Sequence, residues 1–224
     1  MKTVCIECKQ IDEWDKDTQD KIIEKYRYIN TEGHDWYDGE YEWWAGKLAE
    51  QGYDIEETRY KDGYKWSDGP GSKRVKTGKQ VAYTGYNISF SGFYSQGDGA
   101  SFTGTIDIIK WLEYNKIAKY DRILKLMKSG NIDTGANIKR DRWGNYVHWN
   151  TTSISYSWYL DDKYTRINEL LESLEEDILK DHQQLNKDIY DDLEKCYDNQ
   201  VSDEAVKETL IANEYEFDED GRMM

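Results

Sequence analysis

Between positions 86 and 107, apolar and hydroxyl-bearing residues alternate along the chain. Ile88 and Phe90 alternate with Ser89 and Ser91, and Phe102, Gly104 and Ile106 alternate with Ser101, Thr103 and Thr105. A period of two predicts two β-strands sharing one apolar and one hydroxyl face. The intervening Ser95-Gln96-Gly97-Asp98-Gly99 predicts a tight loop, because Asp98 and Gly99 both tolerate positive φ. Conformation alone accounts for such turn residues. A sharper reading makes Tyr94, Ser95, Gln96, Asp98, Ser101 and the loop amides a polar recognition surface.

The flanking pattern predicts helices and further strands. Residues 3–10 alternate as a strand. Asp15 is placed to cap a helix whose apolar positions are Ile22, Ile23, Tyr26 and Ile29. A second helix is expected over about 35–51, with Trp36, Tyr37, Tyr41, Trp44 and Leu48 on one face and Gly52 as its stop. A strand follows over 53–60. Residues 61–80 are basic and carry Gly63, Gly69, Gly71, Gly78 and Pro70, which reads as a flexible insertion before the chain re-enters the sheet at 81–86.

One helix is expected over about 108–128, its core face made by Ile109, Leu112, Ile117, Tyr120, Ile123, Leu124 and Met127. Lys116, Lys119 and Arg122 recur every three residues on another side, as a solvated face or as an anion-binding wall. A second hairpin is predicted over 131–141 and 145–159, turning at Arg142-Trp143-Gly144-Asn145. Then Ile167, Leu171, Leu174, Ile178, Leu185, Ile189, Leu193 and Cys196 mark one long helix over about 162–197, with Asp181 interrupting the stripe. Glu172, Glu175, Glu176, Asp177, Asp188, Asp191 and Asp192 crowd its other faces. Ser202 caps a last helix, and residues 214–224 form an acidic tail. No linker or repeat divides these pieces. The expectation is a single α+β domain over 1–224: a small antiparallel sheet, helices packed on one face, and a long amphipathic C-terminal helix.

Charge changes this picture more than composition does. The net charge is −15. Residues 1–59 hold 8 basic and 16 acidic side chains, residues 60–160 hold 15 and 8, and residues 161–224 hold 7 and 21. A basic centre thus lies between two acidic ends. Such a chain repels nucleic acid overall, so direct DNA binding is not expected, although the centre could hold a small anion and the ends a basic partner. The apolar fraction leans on 19 Tyr and 9 Trp, side chains suited to both cores and binding surfaces. No apolar run reaches the ~20 residues of a membrane span, the first residues lack a signal-peptide pattern, and three cysteines argue against a disulfide framework. A cytoplasmic location is expected.

Catalytic patterns are weak. Cys5 and Cys8 have the spacing of a metal knuckle, but on a strand they face opposite ways, and no second pair completes a site. His34, His148 and His182 stand in no motif. The 95–99 loop lacks the Gly-Lys-Ser/Thr ending of a phosphate loop, and Ser95 lacks a nucleophile elbow. No enzyme activity, metal or cofactor is expected.

Residues 15–27, the loop stretch 90–104 and residues 202–222 together resemble an uncharacterised family of bacteriophage and prophage proteins, sometimes labelled antitoxin-like. Residues 61–80 depart from that resemblance. It implies an accessory phage role in the host cytoplasm and transfers no catalytic residue. Two functions follow as expectations. The first is inhibition of a host defence nuclease, toxin or effector complex, with Glu175, Glu176, Asp191 and Asp192 among the binding carboxylates. The alternative is sequestration of a nucleotide-like signal at the basic centre and the 95–99 loop. The long amphipathic helix makes a homo-oligomer plausible.

Overall fold

The computed structural model describes residues 8–33, 36–66, 74–140, 147–160 and 167–224, with the backbone alone for 59–66, 74–81 and 83. The fold is α+β: small antiparallel sheets, helices, and one long C-terminal helix. The sequence shows no linker, yet the chain gathers into two units. A terminal unit is formed by Met1–Glu40 with Asp191–Met224, and a central unit by Tyr41–Tyr190.

In the terminal unit the two ends of the chain pair. β1 (Lys9–Gln10) lies antiparallel to β10 (Glu216–Phe217), with Lys9 opposite Phe217. α1 (Lys16–Lys25) starts where the Asp15 carboxylate accepts the Thr18 amide hydrogen, a bond that holds this carboxyl below its usual range. α6 (Asp203–Ala212) starts likewise at Ser202, whose hydroxyl accepts from the Ala205 amide. Ile11, Ile22, Ile23, Val206, Leu210 and Phe217 form the buried core. The expected acidic tail is therefore part of the fold: Phe217 is fully buried, and Asp218 Oδ1 accepts the amide hydrogens of Asp220 and Arg222.

The central unit is built on a four-stranded antiparallel sheet in the order β2 (Tyr53–Asp54), β7 (Gly104–Ile106), β8 (Ile132–Arg140) and β9 (Thr152–Leu160). Along β8, Ile132, Ala136 and Ile138 are buried while Asp133, Asn137 and Lys139 are exposed. The long helix α5 (Asn168–Gln200) covers the apolar face with Leu171, Leu174, Ile178, Leu185 and Ile189. β5 (Ile88–Phe90) and β6 (Ala100–Phe102) form the expected hairpin, Ser89 facing Ser101. The chain then leaves this ribbon for the main sheet at Gly104, whose φ is +154° and whose position leaves no room for a Cβ beside the Asp54 carbonyl. α2 (Asp38–Glu50) ends at Gly52, φ +94°, where a Cβ would sit 2.7 Å from the Asp107 carbonyl oxygen.

Three local expectations are corrected. The backbone of 61–66 and 74–80 is not an excursion but belongs to β3 (Glu56–Trp66) and β4 (Arg74–Tyr86), a long antiparallel pair whose register shifts between Asp62 and Tyr64. Alternating Thr, Tyr, Val and Trp carry these strands past the glycines, and the bulge absorbs the Gly63 break. The helix expected over 108–128 is two, α3 (Ile108–Asn115) and α4 (Asp121–Lys128), because Lys116 takes a left-handed φ of +51° that ends the first. The second hairpin's later strand begins at Thr152, so His148 lies in a loop. Cys5, His34 and Arg142-Trp143-Gly144-Asn145 lie outside the described residues.

Candidate binding surfaces

The loop between β5 and β6 is held from inside. Asp98 Oδ2 accepts the amide hydrogens of Tyr94 at 3.0 Å and Ser95 at 2.6 Å, and the Asp98 amide donates to the Ser95 carbonyl. The Asp98 carboxylate is thus occupied by the loop's own backbone. Ser95 and Gln96 are exposed, Tyr94 is 76% exposed, and Ser101 is fully buried in the ribbon.

The basic row loses its common face with the helix break. Lys116 is the left-handed residue after α3, Lys119 lies in the connecting turn, and Arg122 is exposed on α4. Lys119 Nζ pairs with Asp177 at 2.7 Å, which lowers the Asp177 carboxyl below its usual range and raises the ammonium.

The four predicted carboxylates do not act together. Glu175 is half-buried and accepts from Trp158 Nε1 at 2.5 Å; Glu176 is exposed, with Lys180 3.8 Å away. Both belong to the central unit, whereas exposed Asp191 and Lys195-paired Asp192 belong to the terminal unit.

Beneath α5 lies a polar network that the periodicity hides. The apolar stripe passes not through Asp181 but through His182, fully buried between Ile178 and Leu185. Asp181 Oδ2 accepts from Tyr53 Oη and Trp111 Nε1, each at 2.8 Å. Phe102 N–H donates to Asn186 Oδ1 at 3.0 Å, which turns the amide nitrogen of Asn186 toward His182 Nε2, also 3.0 Å away. Thr152 Oγ1 reaches the same nitrogen at 2.8 Å. His182 Nε2 must therefore be the acceptor, and the ring is neutral with its proton on Nδ1. Burial agrees, pushing this histidine down to about 4. The arrangement positions α5 on the sheet; it offers no open nucleophile or base. Histidine and asparagine four apart on an apolar stripe were the available signal, and they read as noise beside Asp181.

The terminal unit carries a different surface. Tyr28 is 57% exposed. Trp36 packs against Tyr37 at 5.2 Å and Tyr197 at 5.7 Å between ring centres, and the Cys196 thiol donates to the Trp36 carbonyl. Burial raises the Tyr197 hydroxyl, with Tyr28 and Asp198 adding to the shift. Counted by unit, the chain's charge separates sharply: the terminal unit has nine basic and 23 acidic side chains, net −14, and the central unit 21 and 22, net −1. From sequence Trp36 and Tyr37 read only as part of a helix face, and Tyr28 and Tyr197 were not singled out, because Tyr197 lies at the opposite end of the chain from the other three.

A family model described as a domain of unknown function, DUF8835, matches residues 36–203. The chain belongs to the DUF8835 family. The DUF8835 match contains the whole central unit and stops at the start of α6. No curated protein and no solved structure matches the chain. Among the described residues, no helix is long and apolar enough to cross a membrane, and no group of three or more His, Cys, Asp or Glu could hold a metal ion.

Proposed function

We propose that the chain works by stoichiometric binding to a basic protein, docking through the acidic, aromatic surface of its terminal unit. The observation that carries this reading is the concentration of net −14 in a unit that also exposes Tyr28 beside Trp36, Tyr37 and Tyr197. Tyrosine and tryptophan supply large contact areas at low entropic cost, and carboxylates around them steer a cationic surface and fix its register. The resemblance to phage and prophage proteins supports a host defence nuclease or toxin as the partner class, its phosphate-binding groove being filled by carboxylates.

The test is capture from a host lysate with the full chain as bait, followed by an inhibition assay on the purified partner. A basic partner retained at low salt, released by about 0.5 M salt, and lost when Asp191, Asp198 and Asp203 become Asn is the expected result. Retention of the same partner by that triple variant, or by Tyr28→Ala at unchanged affinity, would sink the assignment to this surface.

A further inference from the structure

The hydroxyl face of the β5–β6 ribbon meets an arginine that sequence reading passed over. Arg140 closes β8 opposite Thr152, on the face of the sheet that buries Ala136 and Ile138. Its Nη2 donates to the fully buried Ser101 Oγ at 3.4 Å. Its Nε is buried without a hydrogen-bond partner among the described residues. Burial lowers the guanidinium, and among the described residues Tyr41, not a carboxylate, opposes that shift. Ser91, a diagonal neighbour of Ser101 across the ribbon, also has a buried Oγ with no partner among the described residues.

A half-buried guanidinium without a counter-charge is costly to hold. Among the described residues no carboxylate is paired with it. The site offers a donor set: the Nε–H and Nη–H edge of a planar fork, the Ser101 hydroxyl against it, and the Ser91 hydroxyl diagonal to Ser101 on the same ribbon. A fork plus hydroxyls matches the outward oxygens of a tetrahedral oxyanion, because the fork takes two of them in parallel and the hydroxyls take the third. We infer that the central unit binds a phosphate group of a small molecule at Arg140, over Ser101 and Ser91. This rests on a different unit from the protein-docking reading and stands or falls without it. It also differs from an anion wall at Lys116, Lys119 and Arg122, since Lys119 already holds Asp177.

Calorimetric titration of the full chain at matched ionic strength tests it, with inorganic phosphate, adenosine 5′-monophosphate and acetate as the three probes. Phosphate and the nucleotide are expected to bind, acetate not; a nucleotide tighter than phosphate would mean that the phosphate arrives on a nucleotide, equal affinities that free phosphate suffices. Arg140→Lys should weaken binding about tenfold, since an ammonium cannot offer the fork. Arg140→Gln should abolish it and should melt, without ligand, no lower than the parent, because it relieves an unpaired charge. Ser101→Ala and Ser91→Ala should each weaken binding severalfold. No heat with phosphate or nucleotide, equal binding of acetate, undiminished binding by Arg140→Lys, or a lowered ligand-free melting point in Arg140→Gln would each overturn the assignment.

Discussion

The terminal unit holds net −14 on 74 residues and the central unit net −1 on 150, and each is stabilised internally in its own way. The terminal unit relies on a small apolar core and on a strand pair of two residues a side. Its carboxylates mostly face water, where they repel one another and contribute little to stability. The central unit joins a four-stranded sheet to one helix through a buried polar network: Asp181 accepts from Tyr53 and Trp111, and His182 Nε2 meets Asn186 and Thr152, while His182 Nδ1 has no hydrogen-bond partner among the described residues. Surplus charge is thus confined to the part with the simpler core. The terminal unit's directional bonds are part-buried or exposed, as in the Asp15 and Ser202 caps, Lys25 on the Gly221 carbonyl and Arg27 on Asp203, whereas the central unit places some in the full interior, as His182 Nε2 with Thr152 and Asn186.

Perturbations can break this contrast or sharpen it. The largest effect is expected from Phe217→Ala, which empties the terminal core where the chain ends pair and should cost about 3–5 kcal/mol. Site-resolved hydrogen exchange should show amides of α1 and α6 losing protection while those of β8 and β9 keep theirs; equal loss in both units would erase the distinction.

Acid should act on the central unit. Unfolded, His182 takes up its proton near its ordinary value of 6.5, whereas burial keeps it neutral in the folded chain down to about 4. Between those values the unfolded state binds more protons, so this contribution is complete above pH 6.5 and is lost as pH falls toward 4, on the order of 3 kcal/mol in all. His182→Leu should flatten that part of the stability–pH curve, as read from denaturant unfolding at a series of pH values. A variant curve parallel to the parent's would remove His182 from the account.

Salt should act on the terminal unit. Raising ionic strength from ~0.05 to ~0.5 M screens its self-repulsion and should stabilise it by roughly 1 kcal/mol, with a smaller response in the central unit. Ser202→Ala, which removes the cap of α6, should cost about 1 kcal/mol in the terminal unit alone. Smallest of all, Lys116→Gly should stabilise the central unit by about 0.5 kcal/mol, because glycine adopts the left-handed φ without strain. A loss instead would mean that the Lys116 side chain contributes more than its backbone costs.

Much of the local structure was legible in the chain. Asp15 and Ser202 announce their helices, Gly52 ends one, and the apolar stripe from Leu171 to Leu193 marks α5. The break at Lys116 had a signal as well: the core positions step by five from Leu112 to Ile117, a slip that one continuous helix cannot absorb. The strands β3 and β4 were obscured because lysines and glycines, poor strand formers, dilute their alternating Thr, Tyr and Val. The candidate sites were less legible. Asp98 carried the right chemistry for a recognition loop but spends its carboxylate on Tyr94 and Ser95, and Arg140 carries no mark in the sequence, since Ser101, 39 positions away, meets it only in the fold.

By itself the sequence determined the elements, since caps, turn residues and hydrophobic period act over a few neighbouring positions and need no distant partner. It also determined that both chain ends are acidic. Only the tertiary structure decided that those ends meet, through Lys9 beside Phe217, and so form one charged unit. It likewise decided which polar groups are answered inside, as Asp181 is by Tyr53 and Trp111, and which, like Arg140 Nε, have no hydrogen-bond partner among the described residues. The reason is physical: pairing and burial depend on what folding brings alongside, and a list of residues carries no distances.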